Sequence, residues 1–407
     1  MAIAPPTRRP SAGLGLGLGS TAPGRRSAAH RLGHDPAAAW RHVDVMLLGA
    51  VAALAAVGAL MVYSATRGPG GEEPLVTSFL MRQGGFVALG VVVGTVVAGV
   101  DYRRFVEVAP LAYGAVMVGL FGVLSPLGSS QNGTQAWFQV GSFQLQPSEF
   151  TKLALILGLA AVLAQFRDEV DLRRFGTCLG LAVLPLGLIM LQPDLGTAFV
   201  LVAITLGLLF VGGAQPRHLG ALLLGGVIAV GVVVNSSMLE EYQRDRLTVF
   251  LAQDDSDVIV GGSQGEAYNL EQSKIAIGAG GFFGQGLFEG SQTRLSNVPE
   301  QHTDFIFTAV GEELGFVGAG SLLALYAVIC WRIWRAAQLA RDTFGTLVCV
   351  GVLAMFLFQL FQNVGMTMGI MPITGIPLPF VSYGGSSTIV AFAAIGLVVN
   401  VHARRFS

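Results

Sequence analysis

The chain has 407 residues, of which 53% are hydrophobic and 12% are charged, and its net charge is −1. With a mean hydropathy of +0.64, this composition excludes a soluble globular protein. The sequence also lacks a basic stripe with interleaved aromatic residues, so no nucleic-acid partner is predicted.

The first 40 residues differ from the rest of the chain. They are rich in glycine, alanine, proline and arginine, and they contain no apolar run long enough for a secretion signal. We predict that residues 1–40 form a disordered cytoplasmic tail. Residues 41–407 are then one polytopic membrane domain, whose first span directs export without being cleaved.

Apolar stretches follow along the chain, each close to the roughly 20 residues that a helix needs to cross a bilayer. The predicted fold is an all-α integral membrane protein with about ten transmembrane helices. The predicted spans lie near residues 44–64, 80–100, 105–126, 148–165, 176–192, 195–213, 217–237, 304–331, 344–369 and 381–402. A long extracytoplasmic loop, about residues 238–303, separates the seventh span from the eighth.

The arginines predict the orientation of this bundle, because positive charge resists transfer to the outer face. With this span count, the arginines of the tail, the short loops and the C-terminus fall on one side of the membrane. They include Arg41, Arg103, Arg104, Arg173, Arg174, Arg217, Arg335 and Arg404. We therefore predict a multi-pass membrane protein with both termini in the cytoplasm.

The unusual polar residues concentrate in the predicted outer loops and outer helix ends, whereas the predicted inner loops are short and basic. Ionisable groups at a bilayer boundary are costly, so they indicate a site that handles a lipid-borne polar substrate. A transporter would place its polar groups near the bilayer midplane, often with internal repeats, and the sequence shows neither signature clearly.

Specific motifs carry a resemblance to a known family. They read QPSEFTK at 146–152, QPDLGT at 192–197, YNLEQS at 268–273, PEQHTDF at 299–305 with GEELG at 311–315, and GIPLPFVSYGGS at 375–386. Over about residues 40–403, the chain resembles the SEDS family of shape, elongation, division and sporulation proteins. It looks most like the rod-shape RodA branch, through QPD at 192–194 and NVPEQH at 297–302, rather than the FtsW division branch.

The resemblance implies a peptidoglycan glycosyltransferase that polymerises lipid II outside the bacterial cytoplasmic membrane during cell elongation. The resemblance implies a class B penicillin-binding transpeptidase as partner, and the surrounding membrane lipids as a further contact. Three alternatives stay open: a lipid II flippase, an FtsW-like division polymerase, and a scaffold that only activates its transpeptidase. A flippase needs a polar route through the inner half of the bundle, and the sequence there has too few polar residues for one. A scaffold would not need an acid in the cavity.

Asp304 is the candidate catalytic residue. It matches the aspartate that the family motif marks as essential, and it lies where the predicted long loop meets the membrane. A carboxylate there can take the proton of an acceptor sugar hydroxyl while that hydroxyl attacks a lipid-diphosphate donor with inversion. The residues alone leave a structural alternative open, in which Thr303 and Asp304 cap the eighth helix.

Glu149 and Lys152 are spaced i, i+3 at the predicted outer start of the fourth helix, so they share a face and can pair. A lysine within a span is costly unless it is paired or solvated. Lys152 either contacts the substrate diphosphate or orients Asp304, or it is a snorkelling lysine that Glu149 holds for stability alone.

The remaining substrate-binding candidates lie in the outer loops and helix ends. Arg244 and Arg246 offer guanidinium groups that match diphosphate oxygens, although a solvated loop face explains each equally well. Trp137 packs a sugar or lipid chain, or it is an ordinary interfacial tryptophan. Ser382 and Ser386 line the cavity or cap the tenth helix. The predicted substrate site also includes Gln146, Ser148, His302 and Thr303.

No set of acidic residues at metal-ligand spacing is visible. A divalent cation, Mg²⁺ or Mn²⁺, stays an alternative with Asp304 as one ligand, because such an ion would offset the charge that grows on the diphosphate. Glu312 and Glu313 follow Asp304 by about two helical turns, and we predict a structural or gating role for them. Residues 278–286 are predicted to form a re-entrant or tightly turned loop rather than a phosphate loop.

Overall fold

A computed structural model of the chain describes residues 43–67, 74–131, 134–141, 143–165, 170–235, 250 and 265–405. The predicted tail at 1–40 lies outside the described residues. So do Arg244 and Arg246.

The described chain is a bundle of long apolar helices. The long helices before the predicted long loop are α1 (Val45–Ala65), α2 (Pro74–Gly99), α3 (Arg104–Val123), α4 (Pro147–Ala164), α5 (Leu172–Met190), α6 (Leu195–Val211) and α7 (Pro216–Asn235). After two shorter helices come α10 (Ile306–Leu339), α11 (Thr343–Thr367) and α12 (Gly385–Ala403). Within the described ranges, eight helices are long and apolar enough to cross a membrane, and the 17-residue α6 is a shorter apolar helix. The predicted all-α membrane fold is confirmed.

Hydrogen bonds between distant segments define two ends of the bundle. At one end, Gln301 Nε2 donates to the Ala65 carbonyl at 2.7 Å, where α1 finishes. At the other, Asn400 Nδ2 donates to the Val97 carbonyl at 2.6 Å, where α2 finishes. We refer to them as the Asp304 end and the Arg404 end.

Close helix packing connects the two ends. Helix α12 runs along α2 with Gly94 facing Gly396, and a β-carbon added to Gly396 would lie 2.4 Å from the Gly94 carbonyl oxygen. Small residues at such crossings let membrane helices approach backbone to backbone. The resulting van der Waals contacts hold the helices together, because the hydrophobic effect does not act between helices in lipid. Nearly all of α12 is buried, so it forms the central helix of the bundle.

At the Arg404 end, polar side chains complete helix termini. Asp44 accepts from Leu47 N at 3.1 Å as the cap of α1, and it pairs with Arg332 at 2.6 Å. Asp342 caps α11 through Gly345 N at 2.8 Å. Helix ends leave backbone groups without intrahelical partners, so these side chains satisfy groups that lipid cannot.

A small antiparallel sheet, which the sequence analysis did not predict, lies at the Asp304 end. It contains β1 (Ser129–Gln131), β2 (Thr134–Val140) and β3 (Phe143–Leu145) in the order β1-β2-β3. The sheet connects α3 to α4 and positions the QPSEFTK motif, since Gln146 follows β3 directly. Pro147 is at the first turn of α4, where its missing N–H costs nothing.

The predicted long loop contains two helices of its own in its described part, α8 (Glu266–Gly280) and α9 (Ser291–Arg294). Helix α8 packs against the first turns of α10. Helix α10 begins at Ile306 and continues to Leu339, beyond the predicted end at residue 331. It is broken at Gly315, whose φ of 65° and ψ of −162° are not helical.

Backbone hydrogen bonds from residues 281–286 fill the break in α10. Gln285 N and Gly286 N donate to the carbonyls of Glu312 and Glu313, at 2.9 and 3.1 Å. In return, the N–H groups of Phe316 and Val317 donate to the carbonyls of Gly281 and Phe282, at 3.0 and 3.1 Å. The tightly turned loop predicted at 278–286 is confirmed for residues 281–286, because residues 278–280 still belong to α8. This turn pairs with the broken helix.

Candidate active site

Three consecutive backbone carbonyls hold the segment that contains Asp304. They belong to His302, Thr303 and Asp304, and each accepts one hydrogen bond. The donors, in the same order, are Tyr383 N at 2.9 Å, Ser382 Oγ at 2.6 Å and Asn363 Nδ2 at 2.8 Å. All three donors belong to α11 or to the segment that leads into α12, so packed elements fix the backbone of this loop.

The Asp304 side chain is half-buried and lies against Gly375. A β-carbon on Gly375 would be 3.2 Å from Asp304 Oδ2, and the backbone there is left-handed, with a φ of +67°. Glycine is therefore required twice at this position, for the backbone conformation and for the space. The carboxylate thus has a defined wall on one side.

Neither Thr303 nor Asp304 is the N-cap residue of α10. Phe305 occupies the N-cap position of α10 and makes no side-chain capping bond. Thr303 Oγ1 instead donates to the Glu300 carbonyl and carboxylate, both at 3.1 Å. Thr303 and Asp304 therefore both precede the N-cap position of α10.

His302 lies in a cluster of aromatic rings. Its ring centroid is 5.3 Å from that of Phe79 on α2 and 5.7 Å from that of Tyr383. Burial lowers the pKa of the His302 imidazole, and the nearby Glu300 carboxylate opposes part of this shift. The ring is therefore neutral at neutral pH, and its packing connects α2 to the Asp304 segment.

Lys152 and Glu149 form the ion pair that their spacing predicts. Lys152 Nζ lies 2.6 Å from Glu149 Oε1, and the two side chains are only 2% and 4% exposed. A snorkelling lysine would reach the surface, so Lys152 does not snorkel, whereas Glu149 does hold it as that alternative expects. Glu149 also lines a cavity with room for about one water molecule, together with Gln359, Pro377 and Ser387.

The side chains of Gln146 and Ser148 both contact Asp194. Gln146 Nε2 and Ser148 Oγ donate to Asp194 Oδ2 at 3.2 and 3.3 Å. Asp194 also caps α6, since its Oδ1 accepts from Thr197 N at 2.9 Å. The structure therefore uses these two candidate residues to join the start of α4 to the start of α6.

Ser382 and Ser386 also tie loops together. Besides bonding Thr303, Ser382 Oγ accepts from Leu378 N at 2.8 Å. Ser386 Oγ accepts from Gln146 N at 3.0 Å and donates to the Gln144 carbonyl at 3.1 Å. The N-cap of α12 is Gly384 without a side-chain bond, so capping by either serine is wrong.

Trp137 lies half-buried on β2, opposite Ser129 of β1. Its carbonyl accepts from Ser129 Oγ at 3.0 Å. The strand therefore presents the indole at the Asp304 end, on the same loop that leads into the QPSEFTK motif.

Glu312 and Glu313 organise the loop before Asp304. Glu312 accepts from the N–H and Oγ1 of Thr293, at 2.9 and 2.7 Å, and from Gln292 N at 2.7 Å. Glu313 accepts from Ser64 Oγ at 2.5 Å and from Phe288 N at 3.2 Å. These contacts give the two glutamates the predicted structural role.

Asn363, which lies in an apolar stretch of α11, is a site residue that no sequence motif marked. It is fully buried, and its Nδ2 donates both to Asp304 O and to Ile376 O at 2.8 Å. The available signal was an adjacent Gln362–Asn363 pair inside a predicted span, where polar residues are costly.

The described residues do not fit a protein-held divalent cation. Among them, no three His, Cys, Asp or Glu side chains lie close enough to hold a metal ion. We therefore derive no step through a metal. Arg244 and Arg246, the predicted diphosphate ligands, lie outside the described residues.

These features define a polytopic membrane protein with an acid held rigidly where a loop meets a membrane helix. Residues 44–406 match the sequence family described as Cell cycle protein, which groups FtsW, RodA and SpoVE. The chain belongs to this family, which confirms the resemblance drawn from its motifs.

The chain is similar to named enzymes over nearly its whole length. It is 36% identical over 364 residues to a probable peptidoglycan glycosyltransferase FtsW of Trichlorobacter lovleyi, covering 88% of this chain and 93% of the relative. It is also 36% identical over 365 residues to the peptidoglycan glycosyltransferase MrdB of Escherichia coli K12, covering 89% and 94%.

A solved structure extends this similarity to the fold. It contains a chain of a peptidoglycan synthase complex that coordinates polymerization and crosslinking. The TM-score is 0.75 at 32% identity, over 90% of this chain and 100% of that one.

Proposed function

We propose that the protein polymerises lipid II into glycan strands, with Asp304 as the general base. Membership of a family of peptidoglycan glycosyltransferases gives the reaction class. The observation that carries the catalytic assignment is the fixed backbone of residues 302–304, which presents a half-buried carboxylate next to Gly375.

In the proposed reaction, an acceptor sugar hydroxyl attacks the anomeric carbon of the lipid-diphosphate donor. The new glycosidic C–O bond forms on one face while the bond to the diphosphate oxygen breaks on the other, which inverts the carbon. Asp304 accepts the hydroxyl proton, and the undecaprenyl diphosphate leaves with the bonding electrons. We assign Arg244 and Arg246 to the leaving diphosphate, because a guanidinium fork matches its oxygens.

Lys152 has a different role in this proposal. Its ammonium group is bonded to Glu149 and closed off from the surface, so it serves as the counterion that allows a carboxylate inside the bundle. The pair makes the start of α4 polar, and Pro377 and Pro379 of the 375–386 segment line the small cavity beside Glu149.

We propose that the Asp304 end faces the outside of the bacterial cytoplasmic membrane. The predicted excess of arginine at the opposite end supports this orientation and puts both termini in the cytoplasm. The likeness to a synthase complex that couples polymerization to crosslinking supports a class B penicillin-binding transpeptidase as partner.

We assign the protein to cell elongation on its QPD and NVPEQH motifs. Relatives named MrdB and FtsW are equally identical to the chain, so a cellular test separates the two roles. Expression in a rod-shaped bacterium depleted of its elongation polymerase is expected to restore rod shape. Restored division in a strain depleted of its division polymerase, without restored shape, would contradict the assignment.

Polymerisation by the purified protein tests the catalytic proposal. The protein is given lipid II in detergent, with and without a transpeptidase partner, and glycan chains are separated on gels. Asp304→Asn is expected to lower the rate by about 10²–10⁴-fold, the usual contribution of a general base. Glu300→Gln is the matched control, because it neutralises an exposed acid on the same loop.

Three outcomes would favour other functions. Undiminished chains from Asp304→Asn would remove this residue from the mechanism. Lipid II that crosses sealed vesicles without being polymerised would indicate a flippase. A partner that is activated equally by the wild type and by Asp304→Asn, with no glycan made by either, would indicate a scaffold. A chelator titration of the same assay tests the divalent cation.

A further inference from the structure

The buried side-chain amide of Asn363, next to Asp304, makes hydrogen bonds outside its own helix α11. Asn363 is 0% exposed, and its Nδ2 donates two hydrogen bonds of 2.8 Å to main-chain carbonyls of Asp304 and Ile376. Both partners are carbonyl oxygens, which only accept, so the orientation of the amide is fixed by its partners.

The two acceptors belong to the two sides of the Asp304 contact. One is the residue that carries the carboxylate, and the other follows Gly375, the residue against which the carboxylate lies. Residues 374–376 are also clamped from α6, because a β-carbon on Gly196 would lie 2.5 Å from the Thr374 carbonyl oxygen. A single nitrogen therefore joins the Asp304 segment to a loop that is packed closely against α6.

We propose that Asn363 is a positioning residue for the glycosyl transfer. This inference rests on the proposed role of Asp304 as the base. Asn363 fixes the distance between the Asp304 backbone and the Gly375 loop, and so it sets where the carboxylate meets the acceptor hydroxyl. Misplacing a reacting group by about 1 Å can cost about 10²-fold in rate.

Gln362 offers a matched control on the same helix. It is 1% exposed and donates one hydrogen bond of 2.7 Å to the Pro372 carbonyl in the same linker. Removing either amide leaves at least one carbonyl of the linker without its donor, so both variants are expected to be destabilised. Only the Asn363 bonds reach Asp304.

The test measures kcat and KM for lipid II per folded molecule, with folding checked by gel filtration and thermal unfolding. Asn363→Ala is expected to lower kcat about 10- to 100-fold with little change in KM. Gln362→Ala is expected to keep kcat within about twofold, because the base stays in place. Asn363→Ser keeps one donor and is expected to give an intermediate kcat.

A second measurement compares the same variants in an Asp304→Glu background. In Asp304→Glu the carboxylate is already displaced, so Asn363→Ala is expected to cost much less in that background than in the wild type. Gln362→Ala is expected to have the same small effect in both backgrounds, as independent sites do.

Equal loss of kcat in Asn363→Ala and Gln362→Ala, or full additivity with Asp304→Glu, would overturn the positioning role. Failure of both Asn363 variants to give folded protein would also overturn it in favour of a structural role. Asp304→Asn distinguishes the two proposals: wild-type rates in that variant would end the proposed function, whatever Asn363 does.

Discussion

The two ends of the bundle use buried polar groups differently. At the Arg404 end, Asp44 and Asp342 cap helices, and Asn400 bonds the last carbonyls of α2. At the Asp304 end Asp194 also caps a helix, but there Ser382 and Asn363 bond a loop backbone as well, and that loop carries a carboxylate. The comparison shows that similar hydrogen bonds complete the fold at one end and hold a reactive group at the other.

Two ion pairs with a buried carboxylate, Glu149–Lys152 at the Asp304 end and Asp44–Arg332 at the Arg404 end, give the sharpest form of this comparison. Lys152→Met would leave Glu149 buried without a cation, which is expected to cost about 3–5 kcal/mol of unfolding free energy. The double variant Glu149→Gln with Lys152→Met removes both charges and is expected to recover most of that stability. Thermal unfolding in detergent measures both.

Activity in the same variants decides whether Lys152 also acts on substrate. With the role proposed here, the double variant retains most of its polymerisation per folded molecule. A stable Lys152→Met protein that makes no glycan would place the ammonium group in the reaction instead.

Arg332→Ala tests the pair at the Arg404 end. Asp44 is only 3% exposed there, so losing its cation is expected to cost about 2–3 kcal/mol, and polymerisation per folded molecule should not change. Arg335→Ala is the control, since it removes an exposed arginine and is expected to stay within about 0.5 kcal/mol. A loss of kcat in folded Arg332→Ala would break the division between the two ends.

Gly375→Ala tests two effects together, the backbone strain of a left-handed residue and the contact of a new methyl group with Asp304. Its left-handed backbone is expected to cost about 1–2 kcal/mol, and the new methyl group presses on Asp304 Oδ2, which should lower kcat about tenfold. Gly213→Ala is matched to it at the Arg404 end, because Gly213 has a φ of +88° with open space around it. Gly213→Ala should therefore lose stability through backbone strain without losing kcat. An equal loss of kcat in both variants would refute the proposed contact between the Gly375→Ala methyl group and Asp304.

The pH dependence of stability is the smallest expected effect. The pKa of folded His302 is lowered from 6.5, so below that pH the unfolded chain binds more protons than the folded protein. The stability associated with the neutral ring is therefore complete above pH 6.5 and is lost as the pH falls below it.

Two variants check the sign of this effect by thermal unfolding on either side of pH 6.5. His302→Phe is expected to flatten the loss of stability on the acid side. Glu300→Gln removes the carboxylate that partly restores the His302 pKa, so it should make the loss steeper. Identical profiles for all three proteins would rule out this titration.

Sequence predicted the parts of the structure that depend on local composition. The long helices follow from runs of apolar residues, and the Glu149–Lys152 pair follows from helical spacing. The sheet at 129–145 was missed because its strands are short and alternate weakly. Helix α8 was missed because the sequence around it is polar and resembles a loop.

The candidate site was predicted only where a motif marked a residue. Asp304 was found in this way, but Asn363 contacts a residue 59 positions away, and neither spacing nor periodicity reveals such a pair. Candidates such as Gln146, Ser148 and Ser382 were found as polar motif residues. Their partners, Asp194 and the Thr303 carbonyl, depend on how distant segments pack.

The break at Gly315 has a consequence for where the protein tolerates insertions. Four main-chain groups of α10 obtain their partners from residues 281–286, and hydrocarbon offers no substitute for them. An epitope tag or fluorophore spliced into that turn would therefore disrupt a membrane helix that lies later in the chain. Labels for imaging should be placed in other surface segments, because the backbone of this turn supplies hydrogen bonds that α10 needs.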